Sequence, residues 1–150
     1  MAQSRQPDFR IPDFTVHQLV VTCSESMDWS LKELGIPEIW KKTTGKGVKV
    51  AVLDTGCAIL HPDLKNQIED SADFTNSKVG PGDTNGHGTH CASTAAGVSG
   101  SLAVATVART AAGKCLSNSG NGNSSWIQSS FDWALAAGAT VISLSIGGPG

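Results

Sequence analysis

The run Val48-Lys49-Val50-Ala51-Val52-Leu53 is apolar at all but one position and rich in β-branched residues, which predicts a parallel strand buried on both faces. It ends in Asp54-Thr55-Gly56, so an acid and a hydroxyl precede a turn-forming glycine at the carboxyl end of the strand. Open α/β sheets place their sites at such ends. Upstream, Leu31, Leu34, Ile36, Ile39 and Trp40 fall at helical spacings from Trp29 onward, and Thr44-Gly45-Lys46-Gly47 turns the chain into the strand. Downstream, the small residues Ala92 to Ala96 suit a buried helix. Trp126, Ile127, Phe131, Trp133, Ala134, Leu135 and Ala137 form an apolar stripe on another helix, stopped by Gly138, with the aromatics in the core. Thr140 to Ser145 alternates as a further strand.

At 150 residues, ordinary hydrophobicity and a formal charge of -2, the chain is one domain's worth or less, which disfavours disorder and nucleic-acid binding. Residues 1–28 contain no apolar run long enough for a signal peptide or a membrane helix, so no membrane association is expected and the default location is the cytoplasm. Within them, Arg10-Ile11-Pro12-Asp13-Phe14 reads as an extended patch, because each proline removes a donor and turns its predecessor away from helix; a disordered tail is the alternative. Globular composition begins at Trp29, which divides the chain into an extension, 1–28, and a domain portion, 29–150. Cys23, Cys57, Cys91 and Cys115 are widely spread with no paired C-x-x-C spacing, and are expected as free, mostly buried thiols.

The densest chemistry lies in Asn85-Gly86-His87-Gly88-Thr89-His90-Cys91. Flanking glycines let a backbone or a substrate approach His87, whose proton affinity lies nearest neutral pH, so it is a candidate general base. Two histidines on one helix could instead share a metal, a glycine-rich turn before a helix could hold a phosphate, and both histidines could be satisfied core residues. The metalloprotease pattern needs a glutamate beside the first histidine and one more residue of separation. Asp54 alone could be a turn-capping acid; paired with His87 it could orient the imidazole and stabilise its charged form.

Asp54-Thr55-Gly56, His61-Pro62-Asp63-Leu64, His87-Gly88-Thr89-His90 and Ser143-Leu144-Ser145-Ile146-Gly147-Gly148-Pro149, in this order, resemble the motifs of the subtilisin-like serine proteases. The resemblance implies an α/β fold, a parallel sheet with helices on both faces in three layers, covering about half of the family domain. It makes Asp54 and His87 two members of a hydrolytic triad. Gly120 and Gly122 in the Gly/Asn/Ser-rich stretch Ser117 to Ser125, otherwise read as a flexible loop, and Ser145, Ile146 and Gly147 become two edges that pair with an extended polypeptide substrate, the glycines keeping the approach clear. The arm, with Ile36-Pro37-Glu38-Ile39-Trp40-Lys41-Lys42 and the strand that follows, looks most like the intracellular subtilisins. In those proteins an extension restrains the enzyme across its cleft, a role that would fall to Ile11 and Pro12.

The reaction class requires no cofactor. The resemblance gives Asp63 as a carboxylate for a structural calcium ion, with carbonyls of Val98, Leu102 and Val104, but Gly100 stands where an asparagine is expected, which leaves calcium an open alternative. Cys91 resembles the thiol some subtilases carry beneath the histidine, where its role is packing. The stretch Val107 to Leu116 looks about three residues short, with Arg109 in place of a usual proline, so its strand is expected to be cut short.

The family's nucleophilic serine and oxyanion asparagine belong to segments beyond Gly150. Ser99, Ser143 and Ser145 do not sit in the strained elbow a nucleophile needs. The 150 residues are therefore expected to be inactive alone. With half a sheet, Val48 to Leu53 and Val141 to Leu144 would be exposed pairing edges, to be covered by a companion chain or by self-association. A non-catalytic peptide-binding fragment and a truncated gene product are the competing readings.

Overall fold

The computed structural model describes residues 8–10, 27–98 and 103–147. Ten elements follow in chain order: β1 (Asp8–Arg10), α1 (Trp29–Glu33), α2 (Ile36–Trp40), β2 (Lys49–Asp54), β3 (Ile68–Asp73), α3 (His87–Ala96), β4 (Arg109–Lys114), β5 (Asn121–Asn123), α4 (Ser124–Ala136) and β6 (Val141–Ser143). The main sheet has the order β3-β4-β2-β6 with every neighbouring pair parallel, as expected from strands separated by helices.

The alternation of side chains along the central strands sorts the core into two halves. Ala51 and Leu53 of β2, with Ala111 of β4, pack with Ile127 and Ala134 of α4. Val50 and Val52, with Ala112, face the other way onto Ala92 and Ala96 of α3. Helices therefore cover both faces, and the three-layer α/β expectation holds. Small residues on β4 and α3 let the layers approach closely. At Gly113, a Cβ would come within 2.6 Å of Leu53 and 3.2 Å of Trp133.

Two expectations need correction. β4 is not cut short: its six residues pair with all six of β2, from Lys49↔Arg109 to Asp54↔Lys114, because Arg109 donates its backbone N–H to Val48 where a proline could not. β2 is not an exposed edge, since β4 and β6 flank it on either side; the edges are β3 and the three-residue β6. The helical spacing after Trp29 is met by two short helices, α1 and α2. Gly35, at φ 67°, separates them and Pro37 sits in the first turn of α2; Leu31 and Ile36 are buried whereas Leu34 and Ile39 are exposed.

Each longer helix is started by a specific acceptor. The Asn123 side chain closes β5 and caps α4 by accepting from the Trp126 N–H at 3.0 Å. Around that cap, Ile127, Ser130 and Ala134 are buried, whereas Trp126, Phe131 and Trp133 are only half-buried and Leu135 is exposed, so the aromatics border the core rather than fill it. Among the described residues no helix is long and apolar enough to cross a membrane.

Candidate functional site

Asp54 is the last residue of β2 and His87 the first of α3, thirty-three positions later, and the fold brings them together at the carboxyl end of the sheet. Asp54 Oδ1 lies 2.7 Å from His87 Nδ1 and also accepts the Thr55 N–H at 2.7 Å. An ionised carboxylate only accepts, so this contact places the imidazole proton on Nδ1 and leaves Nε2 as the basic nitrogen. Asp54 is 1% exposed, and its Oδ2 has no hydrogen-bond partner among the described residues.

Close backbone approach makes the contact. A Cβ on Gly88 would stand 2.2 Å from the Gly56 carbonyl oxygen and 3.2 Å from Asp54 Cβ, so only glycine lets the start of α3 sit against the end of β2. The Gly88 N–H donates to Thr55 Oγ1 at 3.0 Å, and the Ala58 N–H donates to Thr89 Oγ1 at 3.0 Å.

Cys91, one helical turn after His87, puts its Sγ 3.9 Å from His87 Nδ1. Burial raises its thiol above the ordinary value; the Ser145 hydroxyl, which reaches that thiol, works against the rise, and Asp54 adds to it. The protonated thiol is packing under the histidine rather than a nucleophile. One atom each from Asp54, His87 and Cys91 lie within 4.8 Å of one another, so a thiophilic cation could bind there only by displacing the Asp54–His87 contact. His90 is exposed, and the paired-histidine metal reading finds no support in that arrangement.

The two proposed substrate edges face one another across the arm. Asp8, Phe9 and Arg10 pair antiparallel with Asn123, Gly122 and Asn121 of β5. On the other side, Arg10 and Gly147 exchange both backbone hydrogen bonds at 2.9 Å. The arm thus lies as a middle strand between β5 and Gly147. Ile11 and Pro12 are outside the described residues. Gly122 itself is a correction in reason: an added Cβ would strike Leu116 at 2.6 Å, so its smallness serves inward packing, not substrate approach. Gly120, at φ 81°, closes the Ser117 turn.

Asp63 is half-exposed, 4.0 Å from His61 Nδ1, and its carbonyl accepts the Val98 N–H at 3.0 Å. Gly100 and Leu102 lie outside the described residues.

The sequence profile described as the subtilase family of S8 peptidases matches residues 45–150. This chain belongs to the subtilase family. It is 37% identical over 151 residues to the major intracellular serine protease of Bacillus subtilis, covering 95% of this chain and 47% of that protein. An intracellular serine protease of Paenibacillus polymyxa is 42% identical over 120 residues, 75% of this chain and 37% of the relative. Thermitase of Thermoactinomyces vulgaris is 37% identical over 127 residues, 82% and 46% respectively. The chain therefore spans half or less of the length of these curated subtilases.

Two polar residues packed behind the Asp54–His87 contact escaped the sequence reading. Asp83 accepts five hydrogen bonds: from Thr55 Oγ1 (3.0 Å) and the Asn85 and Gly86 N–H groups (both 2.9 Å) on Oδ1, and from the Thr89 N–H (2.9 Å) and hydroxyl (2.6 Å) on Oδ2. Burial pushes its carboxyl up, but these donors outweigh burial and hold it below the usual value. The signal was an acid three positions before the helix cap Gly86, which has no capping side chain of its own. Lys114 is fully buried at the end of β4 and donates to the carbonyls of Thr55 and of Gly82, the latter at 3.2 Å. Its signal was a lone charge in the run Ala111-Ala112-Gly113-Lys114-Cys115-Leu116.

Proposed function

We propose that the protein is a subtilisin-type serine endopeptidase in which Asp54 and His87 are two members of the triad. The observation that carries this reading is the 2.7 Å contact between Asp54 Oδ1 and His87 Nδ1 at the carboxyl end of a parallel strand. In the reaction His87 Nε2 takes the proton of a serine hydroxyl as it attacks a peptide carbonyl, then delivers it to the leaving amine, while Asp54 holds the ring and stabilises the imidazolium. The serine and the oxyanion donors come from a segment beyond residue 150, and the 150 residues alone are inactive. Ser143 lies within β6, and the Ser145 hydroxyl is engaged with Cys91.

The substrate is an extended polypeptide held between Gly120–Gly122 and Ser145–Gly147. In the same reading the amino-terminal arm occupies that groove and restrains the enzyme. The pairing of residues 8–10 with both edges supports this. The protein acts in the cytoplasm and requires no cofactor, a structural calcium ion at Asp63 being the open alternative, and the β6 edge takes the remaining strands of the domain or, in a 150-residue product, a companion chain.

The test is hydrolysis of a chromogenic peptide by the protein expressed from its whole gene, with and without residues 1–28. Cleavage that disappears in His87→Ala, and rises when the arm is removed, is the expected result. Hydrolysis that survives His87→Ala sinks the triad. Peptide binding without cleavage, in a protein with intact fold, favours the binding-module reading instead.

A further inference from the structure

Asp54 and His87 sit on two segments that touch through backbone atoms, and a set of buried and half-buried polar groups lies behind the contact. The residues that could hold Asp54 and His87 in register are Thr55, Asp83, Thr89 and Lys114. Thr55 is fully buried, and its hydroxyl bridges α3 and the preceding loop: it accepts the Gly88 N–H at 3.0 Å and donates to Asp83 at 3.0 Å. Asp83 then accepts the Gly86 and Thr89 N–H groups at the start of α3, together with the Thr89 hydroxyl. Lys114 approaches the same junction from β4 beneath, tying the Thr55 carbonyl to the Gly82 carbonyl beside Asp83.

A fully buried ammonium is costly unless its protons and its charge are both met. Here two carbonyls take protons, and Asp83, Asp73 and Asp54 supply opposing charge. Such a group is poorly explained by packing, since a methionine would fill the same volume without the desolvation cost. It is well explained if the carbonyls it gathers must not move.

We propose that Asp83 and Lys114 are positioning residues for the catalytic pair, Asp83 fastening Thr55 to the first turn of α3 and Lys114 fastening Thr55 to the Gly82 loop, so that Asp54 and His87 stay in contact. Neither side chain touches the reacting atoms. The proposal rests on the hydrolytic reading only for its kinetic consequence; its structural consequence concerns the Asp54–His87 contact itself.

Asp83→Asn keeps the shape of Asp83 but offers one acceptor where two oxygens now serve five donors. Lys114→Met keeps length and loses every donor. Thr55→Val removes the bridging hydroxyl, and Thr55→Ser keeps it. Each is made in the protein expressed from its whole gene, and two quantities are read. The first is the low-field proton resonance of His87 Nδ1–H, which is sharp only while the proton is held against Asp54. The second is kcat against KM on a chromogenic peptide.

The expected result is a resonance that broadens or vanishes in Asp83→Asn, Lys114→Met and Thr55→Val, and is largely restored in Thr55→Ser. With it goes a fall in kcat of about 10- to 100-fold with KM changed by less than about threefold, since a displacement near 1 Å costs on that order. If Asp83→Asn or Lys114→Met does not fold, the Thr55→Val and Thr55→Ser pair decides. A resonance and a kcat unchanged in every folded variant, or no held proton in the unmodified protein, overturns the clamp. Should the unmodified protein hydrolyse nothing while the resonance responds as expected, the clamp stands and the protease reading falls.

Discussion

Replacing Gly88 by alanine tests the joint between strand and helix with a single methyl group. The added Cβ would stand 2.2 Å from the Gly56 carbonyl oxygen, against about 3.4 Å for ordinary contact, and a third close neighbour is Gly56 N at 3.1 Å. Because the obstacles are backbone atoms, no side-chain rotation relieves them. α3 must retreat from the end of β2 by about an ångström. The Asp54–His87 separation, now 2.7 Å, would then open to about 3.7 Å, outside hydrogen-bond range. Overpacking of this kind costs about 1–3 kcal/mol. For a domain of 150 to 250 residues that lowers Tm by about 2–12 °C.

Calorimetry reads the stability, and peptide hydrolysis by the whole protein reads the alignment, where a loss of about a hundredfold in kcat is expected. Gly86→Ala is the control. Gly86 has φ 101° with open space where a Cβ would go, so alanine there costs about 1–2 kcal/mol of backbone strain but pushes nothing. A Gly88→Ala protein with Tm within about 1 °C and kcat within about twofold of the unmodified protein would refute the reasoning. So would a Gly86→Ala protein that loses kcat just as heavily, because strain rather than displacement would then be the cause.

The remaining predictions use other parts of the site and core. Burial pushes the Cys57 and Cys115 thiols up to about 12, with Asp83 adding to the effect at Cys57 and Ser130 opposing it at Cys115. Unfolded thiols ionise near 8.5, so the unfolded chain loses these protons first. Stability is then full below about pH 8.5 and lost as pH rises toward 12, by about 2–3 kcal/mol per thiol at pH 10.5. Denaturant titrations should show a shallower alkaline fall in Cys57→Ala than in the unmodified protein; an identical slope counts against the assignment. Lys114 contributes with the opposite sign, because burial holds its ammonium below its ordinary value and the cost of burying that charge is relieved as pH rises. Asn123→Ala removes the cap of α4 and should cost about 1 kcal/mol by urea denaturation, with β5 and the arm loosened together. Adding excess calcium chelator should lower Tm if the ion at Asp63 is structural, and an unchanged Tm would remove calcium from the proposal.

What could be read from the chain and what could not follow different physics. β2 and α4 were legible because one-dimensional patterns decide them: an apolar run, or a stripe at helical spacing with a glycine stop. Asp54 and His87 were legible because each sits at the end of such an element. The length of β4 was misjudged because its register is set by β2, through bonds such as Arg109 N–H to Val48, which no local pattern reveals. Around Gly35 the helical spacing was legible but the burial was not, since spacing says which residues share a face and not whether anything covers it. Gly122 was given a substrate-facing reason when Leu116 lies against it, because a glycine in sequence does not say on which side the missing methyl would have been. Lys114 was overlooked because its partners are backbone carbonyls of remote segments, and Asp83 because its local role at the helix start is joined to a remote one, the Thr55 hydroxyl.

These differences bear on how the site tolerates change. A carboxylate and an imidazole make one hydrogen bond, and an exposed pair of that kind would contribute little and wander. Here Asp54 is buried, Gly88 brings the backbones into contact, Thr55 joins the two segments, and Asp83 satisfies the helix start. Each constraint acts on a different atom group, so one can be weakened while the fold survives, and the Asp54–His87 distance should respond before global stability does. Stability screens alone would then rank Thr55 and Lys114 as ordinary core positions and Asp83 as a half-buried helix-start acceptor, whereas a measurement of the His87 Nδ1 proton would separate them from core residues such as Leu64, which is fully buried in the cluster beneath α3. The separation follows from geometry: packing residues set the depth of the core, while these three set the alignment of two chain ends that meet only at its rim.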